Sequence, residues 1–451
     1  MFKKILSAVI AITMVMGMCS CSEQSSGEPG SLPTASQYEP SQPQEPIADT
    51  GRGTVELTAN YSFSQADSTQ KNDADFIKGL NSFSVELFKN TVKGDLAQDG
   101  KNTLVSPESV AFAMGMTMNG ANGNTLSQIQ QVMCGGVDTD KFNRNMNLLI
   151  SNAHSNNTED SKLNIANSIW VKDNDNLVLT EQFALNCKQM YNAELFRTPF
   201  DKSTLEKLNG WVNDKTDKMI PKLIDRFEGN EIMCLVNAVA FDSKWENQYE
   251  DDDVRENCEF TNAKGDKVDC TMLCSTEKQY IQNGRATGFV KNYKGGKYAF
   301  MAVLPNENTS VSNYVSSMTG SEIADLYAGR TTEYDVYTRL PKFKFDYGAE
   351  LGNTLRSMGI TDAFADNADF SKMFENTDCA INRVIHKTHI ELDANGTKAA
   401  AATAITMREN AAMVTEEPKT VILDRPFVFA IMDTQTGLPV FLGTVCDPSV
   451  Q

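Results

Sequence analysis

Three histidines, His154, His386 and His389, are the only imidazoles in 451 residues, so any histidine-assisted hydrolysis must be built on one of them. That chemistry needs the ring within hydrogen-bond reach of a serine or cysteine nucleophile. No GxSxG elbow or comparable nucleophile motif accompanies any of the three. Ser275-Thr276-Glu277-Lys278 has the SxxK pattern of penicillin-binding enzymes, but the SDN and KTG elements that complete such a site are missing, and so short a match reads better as a solvated surface turn. A phosphate-cradling glycine loop, an HExxH pair and a paired-carboxylate signature are absent as well. Beyond Cys19 and Cys21 there are eight cysteines: Cys134, Cys187, Cys234, Cys258, Cys270, Cys274, Cys379 and Cys446. Cys258, Cys270 and Cys274 are close enough in sequence to bind a soft metal, yet no CxxC pair or nearby histidine completes a zinc site. They read as buried thiols, with one disulfide in the cluster as the alternative. Neither a metal nor an organic cofactor is implied, and the chemistry is not that of an ordinary enzyme.

The elements around these residues narrow the field. Forty-one basic against 59 acidic residues give a net charge of −18, which repels phosphate backbones and anionic lipid. Nucleic acid is therefore excluded as a partner. Lys3 and Lys4, the apolar run "ILSAVIAITMVMGM" and then Cys19-Ser20-Cys21 have the layout of an export signal over residues 1–20. The run is too short to span a bilayer comfortably. A small residue directly before Cys21 resembles the bacterial lipoprotein processing box, in which that cysteine becomes the acylated first residue; ordinary signal cleavage nearby is the alternative. A protein so processed is exported, and held at the cell surface by its lipid anchor or secreted. Residues 21–75 are rich in Ser, Gln, Glu, Pro and Gly and have nothing to fill a core, which predicts a disordered tether.

The body, residues 76–451, mixes helix and strand. "DFIKGLNSFSVELFKNTV" places Phe76, Leu80, Phe83, Leu87 and Phe88 on one helical face. Ser106 caps a second helix whose first turn holds Pro107, and "NGANGN" over residues 119–124 ends it. Strand-like runs follow at "LNIANSIWV", "MCLVNAVAF", "KYAFMAVLP", "YDVYTRLPKF" and "RPFVFAIMD". Helices come early and strands mostly late, which predicts an α+β fold with large antiparallel sheets.

Five segments carry a resemblance. "NTLVSPESVAFAMGMTMNGANGNT", "LVNAVAFDSKWENQYE", "LPKFKFDYGAELGNTLRSMGITDAFADNADFSKM", "VIHKTHIELDANGTKAAAATA" and "RPFVFAIMDTQTGLPVFLGTVCDPS" resemble signature segments of the serpin family, in the family's order and spacing over residues 76 to about 448. The resemblance implies three β-sheets, eight or nine helices and an exposed reactive-centre loop at about residues 394–425. It also implies a mechanism. A target serine protease attacks the loop and is trapped as a covalent acyl-enzyme when the cut loop enters the main sheet as a new strand. Distortion of the protease then halts deacylation, because its oxyanion hole and triad depend on positioning. The inhibitor is a monomer consumed once, and is itself no enzyme.

The loop can be tested against that mechanism residue by residue. An inserted strand points alternate side chains inward. Thr397, Ala399, Ala401, Thr403, Ile405 and Met407 form an inward set, small first and then larger and apolar; Lys398, Ala400, Ala402, Ala404, Thr406 and Arg408 face out. Both charges fall outside. A plain alanine-rich helix is the competing reading, weakened by Gly396 and the β-branched Thr403, Ile405 and Thr406. By resemblance the hinge spans Ala394, Asn395, Gly396, Thr397, Ala399, Ala400, Ala401, Ala402 and Thr403, and Ser106, Ser109, Asn237 and His386 form the polar shutter beneath the sheet. Thr403 would join that shutter on insertion. Trp245 reads as a packing anchor.

Two departures from the family pattern stand out. The usual acidic residue opening the hinge is Ala394 here, followed by Asn395, and the lost ion pair would loosen the closed state, favouring spontaneous insertion or polymerisation. The stretch from Gly396 to Pro426 is also several residues longer than in many members of the family it resembles. The family's usual count places the reactive bond at Asn410-Ala411, whereas counting back from Arg425-Pro426-Phe427 gives Thr415-Glu416. Ala411, Ala412, Met413 and Val414 lie between and suit an elastase-like or subtilisin-like pocket; trypsin-like targets are disfavoured. A non-inhibitory serpin, or a lipid-anchored solute-binding protein, are the alternative readings.

Overall fold

The computed structural model describes residues 10–20, 53–67, 69–98, 100–397 and 417–450. Among them are three sheets and nine α-helices. The largest sheet is built from β1 (Ile10–Ser20), β2 (Val55–Glu56), β4 (Ser161–Lys172), β5 (Glu194–Thr198), β6 (Glu231–Lys244), β13 (Phe343–Glu350) and β14 (Cys379–Leu392), in the order β13-β14-β1-β6-β4-β5-β2, and the short β15 (Gly396–Thr397) pairs with β6. A second sheet contains β3 (Thr103–Val105), β9 (Gln279–Asn283), β10 (Ala286–Asn292), β11 (Tyr298–Pro305), β17 (Phe427–Asp433) and β18 (Pro439–Val445), in the order β3-β18-β17-β11-β10-β9. The third orders β16 (Lys419–Ile422), β12 (Val336–Pro341), β8 (Lys267–Glu277) and β7 (Val254–Thr261) as β16-β12-β8-β7. The helices are α1 (Ala74–Gln98), α2 (Pro107–Gly120), α3 (Gly123–Cys134), α4 (Thr139–Asn156), α5 (Glu181–Tyr191), α6 (Lys202–Lys215), α7 (Val311–Ser316), α8 (Glu322–Ala328) and α9 (Gly352–Met358).

The expected helices form for the expected reasons. Phe76, Leu80, Phe83, Leu87 and Phe88 all face the core from α1. Ser106 Oγ accepts from Ser109 N at 3.2 Å and caps α2, with Pro107 in its first turn. Every residue of α2 is buried, which its run of small and apolar residues from Val110 to Met118 permits. β6 is covered on both faces, so "CLVNAVAF" reads as a continuous apolar run rather than an alternation. Leu235, Val239 and Phe241 join the main core, while Cys234, Val236 and Ala240 pack with Leu208 and Val212 of α6.

Three expectations change. The tether expected over 21–75 is shorter at its far end, because residues 53–67 are bound to the body; residues 21–52, with Cys21, lie outside the described residues. Leu57 N donates to Leu195 O at 2.7 Å, Ser64 N to Gln189 O at 3.0 Å, and Leu57 and Phe63 pack against the core. Ser275 and Glu277 do not lie in a solvated turn but end β8, where Ser275 Oγ bonds Glu277 Oε1 at 2.6 Å and Thr338 Oγ1 at 2.9 Å. The apolar run read as an export signal contributes β1, an interior strand of the main sheet. An eleven-residue apolar run bordered by polar sequence fits either role, and periodicity alone does not separate them.

One buried charge is placed against the fold's interest. Glu108, in the first turn of α2, is pushed up to about 8 by burial, with Asp433 adding to the shift. Below pH 4.5 the carboxyl is neutral folded or unfolded, but between pH 4.5 and 8 only the unfolded chain ionises, so stability falls with rising pH by roughly 1.4 kcal/mol per unit. Glu108→Gln is expected to stabilise the protein by a few kcal/mol at pH 8 relative to its effect at pH 4.5, as read by urea unfolding at both pH values.

Candidate functional site

The site is a slot in the middle of the largest sheet. β6 and β14 border it, and β1 fills it, antiparallel to both. Met14 stands level with Asn237 on one side and His386 on the other, and Met14, Met16 and Met18 are fully buried or nearly so. Met16 reaches α2, where Thr117 Oγ1 lies 3.2 Å from its Sδ.

A polar chain crosses the floor of the slot. His386 Nε2 accepts from Ser106 N at 3.2 Å, Ser109 Oγ donates to Asn237 Oδ1 at 2.5 Å, and Asn237 Nδ2 donates to Asn167 Oδ1 at 2.8 Å. Asn167 Nδ2 then donates to Tyr191 O at 2.6 Å. His386 is neutral, since burial drives its imidazole down to about 3. Because Nε2 accepts, Nδ1 carries the proton, and that atom is buried without a hydrogen-bond partner. Ser106 and Ser109 are fully buried, so this serine and histidine grouping cannot meet a substrate. Elsewhere, His154 packs edge-on to Phe63 and His389 contacts Asp346 across β13 and β14. No histidine faces an exposed nucleophile in the arrangement that hydrolysis requires.

At the mouth of the slot the chain turns back on itself. Asp393 Oδ1 accepts from Asn395 N at 2.8 Å, and Gly396 and Thr397 then pair with Lys244 and Ser243 of β6. Gly396 sits at φ +152, and a Cβ there would lie 2.6 Å from Lys244 Cα, so only glycine fits. The turn is clamped by backbone bonds: Ala394 O accepts from Tyr249 N, and Asn395 O from Trp245 N, each at 3.0 Å. Trp245 Nε1 donates to Asp393 O at 3.0 Å, and its ring stacks on Tyr293 at 4.5 Å. Tyr293 Oη in turn meets Thr397 Oγ1 at 2.9 Å. Behind these rings Lys291 pairs with Glu277 at 2.7 Å and lies 4.4 Å from the Tyr249 ring. The two charges are almost fully withdrawn from solvent, so the pair and its cation–π contacts satisfy one another.

A slot fed by a hinge at one end and floored by a polar cluster matches a known architecture. The chain matches the family described as Serpin (serine protease inhibitor) over residues 78–448. The chain is a serpin. Its fold overlays the thermophilic serpin Tengpin in the native state with a TM-score of 0.78 at 38% identity, covering 87% of this chain and 99% of that one. An uncharacterized serpin-like protein of Thermococcus kodakarensis is 28% identical over 82% of this chain and 85% of its own length. Leukocyte elastase inhibitor A of Mus musculus is 27% identical over 81% and 97%.

The structure brings together Ser106, Ser109, Asn237 and His386, the four residues expected to form the serpin shutter, and puts Ala394, Asn395, Gly396 and Thr397, expected to open the hinge, in the clamped turn at the mouth of the slot. Ala399, Ala400, Ala401, Ala402 and Thr403, and the candidate reactive bonds at Asn410, Ala411, Ala412, Met413, Val414, Thr415 and Glu416, lie outside the described residues. Asn167 was not singled out by sequence; it occupies an inward phase of β4 with Leu163, Ile165 and Ile169, and a polar residue in that phase is the signal that marks it. Trp245 is more than packing, since it clamps the hinge. Cys134, Cys187, Cys234 and Cys446 are buried thiols, Cys258, Cys270 and Cys274 are half-buried thiols with Cys258 and Cys270 directly opposite across β7 and β8, and no metal-binding cluster occurs among the described residues.

Burying a neutral His386 makes acid costly. Above pH 6.5 the ring is neutral in both states; below it the unfolded chain gains a proton that the folded chain refuses until about pH 3, so stability falls with pH. Replacing His386 by Asn is expected to cost about 2 kcal/mol less at pH 5 than at pH 7, measured by denaturant unfolding at each pH.

Proposed function

We propose that this serpin inhibits serine proteases as a suicide substrate, with the loop after Thr397 as bait. The observation that supports the reading is the pairing of Gly396 and Thr397 with β6, which runs in the direction a full inserted strand would take. The residues that follow suit the same path. Thr397, Ala399, Ala401, Thr403, Ile405 and Met407 would face the core with no charge to desolvate, and Lys398 and Arg408 would face solvent. A protease that attacks the loop becomes acylated on its serine, and the released loop then drives into the sheet faster than water can deacylate the enzyme.

The reactive bond lies between Asn410-Ala411 and Thr415-Glu416, in a stretch of alanine, methionine and valine that fits elastase-like or subtilisin-like specificity pockets. The relative named as an elastase inhibitor is consistent with that class of target. The absent hinge carboxylate is compensated by backbone clamps: Ala394 is held through its carbonyl, which asks nothing of the side chain. The active form acts as a monomer, exported and carried at the bacterial cell surface on acylated Cys21 or secreted, with the membrane met only through that anchor.

The test is incubation of the exported chain, processed before Cys21, with pancreatic elastase, subtilisin and trypsin. A covalent adduct that survives denaturing electrophoresis is expected with the first two; loop cleavage without adduct from every protease would refute inhibition. Mass spectrometry of the released C-terminal peptide locates the bond. Ala401→Asp should leave cleavage intact while lowering adduct yield at least about tenfold, the effect of roughly 1.4 kcal/mol on the insertion barrier.

A further inference from the structure

We propose that residues 10–20 act as a stand-in for the reactive loop, holding the unprocessed chain in a state that cannot trap a protease until those residues are removed. The inference rests on the inhibitory reading above and names how that same slot is regulated.

Collinearity is the first ground. β15 and β1 both run antiparallel to β6 in the same lane: Gly396 and Thr397 oppose Lys244 and Ser243, and Ile10 takes up at Phe241, two positions of β6 further on with only Asp242 between. Continuing the Gly396–Thr397 register down β6 brings Ala399 opposite Phe241, Ala401 opposite Val239, Thr403 opposite Asn237, Ile405 opposite Leu235 and Met407 opposite Met233. Those are the partners of Ile10, Ile12, Met14, Met16 and Met18. The inward residues derived for the loop therefore coincide one for one with the N-terminal residues already there. The two strands cannot be present together.

Completeness is the second ground. β1 pairs with both borders of the slot, from Phe241 to Glu231 on β6 and from His389 to Cys379 on β14, leaving neither edge open to another strand. The third ground is the position of its end. β1 closes at Ser20, the residue before the processing cysteine, so hydrolysis of the Ser20-Cys21 bond detaches the strand at its boundary and leaves the body intact. Water supplies the hydroxyl to the Ser20 carboxyl and the proton to the Cys21 amine, with an export peptidase as catalyst. One cut thus joins export to arming.

A fourth feature suits the loop once the slot has been vacated. Met14 sits between Asn237 and His386 but offers only a thioether, and His386 Nδ1 beside it has no partner. A loop threonine at that level carries a hydroxyl in its place.

The full, unprocessed chain tests this by hydrogen-exchange mass spectrometry and by heat resistance before and after loop cleavage by subtilisin. Amides of residues 10–20 should exchange at least about 100-fold more slowly than those of an unfolded peptide of the same sequence, and cleavage should leave the melting temperature unchanged. In the full chain carrying Met14→Asp and Met16→Asp, residues 10–20 should exchange freely and cleavage should raise the melting temperature by about 10 °C or more. Free exchange of residues 10–20 in the unmodified chain, or the same rise on cleaving it, overturns the stand-in role, and neither result depends on how the variant folds. Covalent adduct with elastase is read separately. A variant that gains heat resistance on cleavage but forms no adduct defeats the inhibitory reading while leaving the stand-in role supported.

Discussion

The structure depends on one constraint: the facing edges of β6 and β14 are deep in the protein, and their backbone N–H and C=O groups must be paired. An open edge in the interior of a sheet would leave a row of unsatisfied donors and acceptors, and no side-chain adjustment repairs that. The edges must close on each other or take a third strand. In this structure β1 supplies it. The turn from Asp393 to Thr397 opens at the top of the slot, where Gly396 and Thr397 pair with β6, and the polar chain from Ser106 to Asn167 lines its floor.

The chemistry along the slot is graded. Its mouth is polar and clamped, with an ion pair, two stacked rings and main-chain bonds fixing the turn from Asp393 to Thr397. Lower down it becomes a polar chain from Ser106 to Tyr191, every member but one atom satisfied. The exception, His386 Nδ1, lies on the face where the occupant's side chain arrives. A buried donor without an acceptor costs about 1–3 kcal/mol, and the methionine occupying that level offsets the cost with apolar burial rather than a hydrogen bond.

Much of this was legible in the sequence. Capping at Ser106, Pro107 in the first turn of α2 and the helical face of Phe76 to Phe88 all follow from local rules. The shutter quartet came from resemblance, and its geometry from pairings more than a hundred residues apart. What local reading missed is non-local. Asn167 announces itself only once β4 is known to face inward; Lys291 and Glu277 look like surface charges until Tyr249 and Trp245 enclose them; Ser275 reads as a turn because its strand partner, Thr338, is 63 residues away. β1 was read for its other role, since apolar β-branched sequence suits an export signal and a buried strand alike.

On the inhibitory reading proposed above, the same geometry explains why the loop would have to be cut before it could fill the slot. It is held at both ends: at Thr397 by β6, and just beyond residue 417 by β16, which pairs with β12. β12 lies at the hinge end of the main sheet, since Thr338 bonds Ser275, whose hydroxyl reaches Tyr249 beside Ala394. Descending from Thr397 to the level of Met407 takes ten residues, about 33 Å of strand. Returning from there to residue 417 leaves ten more, at most about 36 Å even when drawn straight. An uncut loop could make the journey only as an unpaired, taut return limb, or by stripping β16 from its sheet. On the reading proposed above, cleavage would remove the return journey altogether. The barrier to insertion would then be set by chain connectivity, and a protease would lower it in the act of attacking the loop.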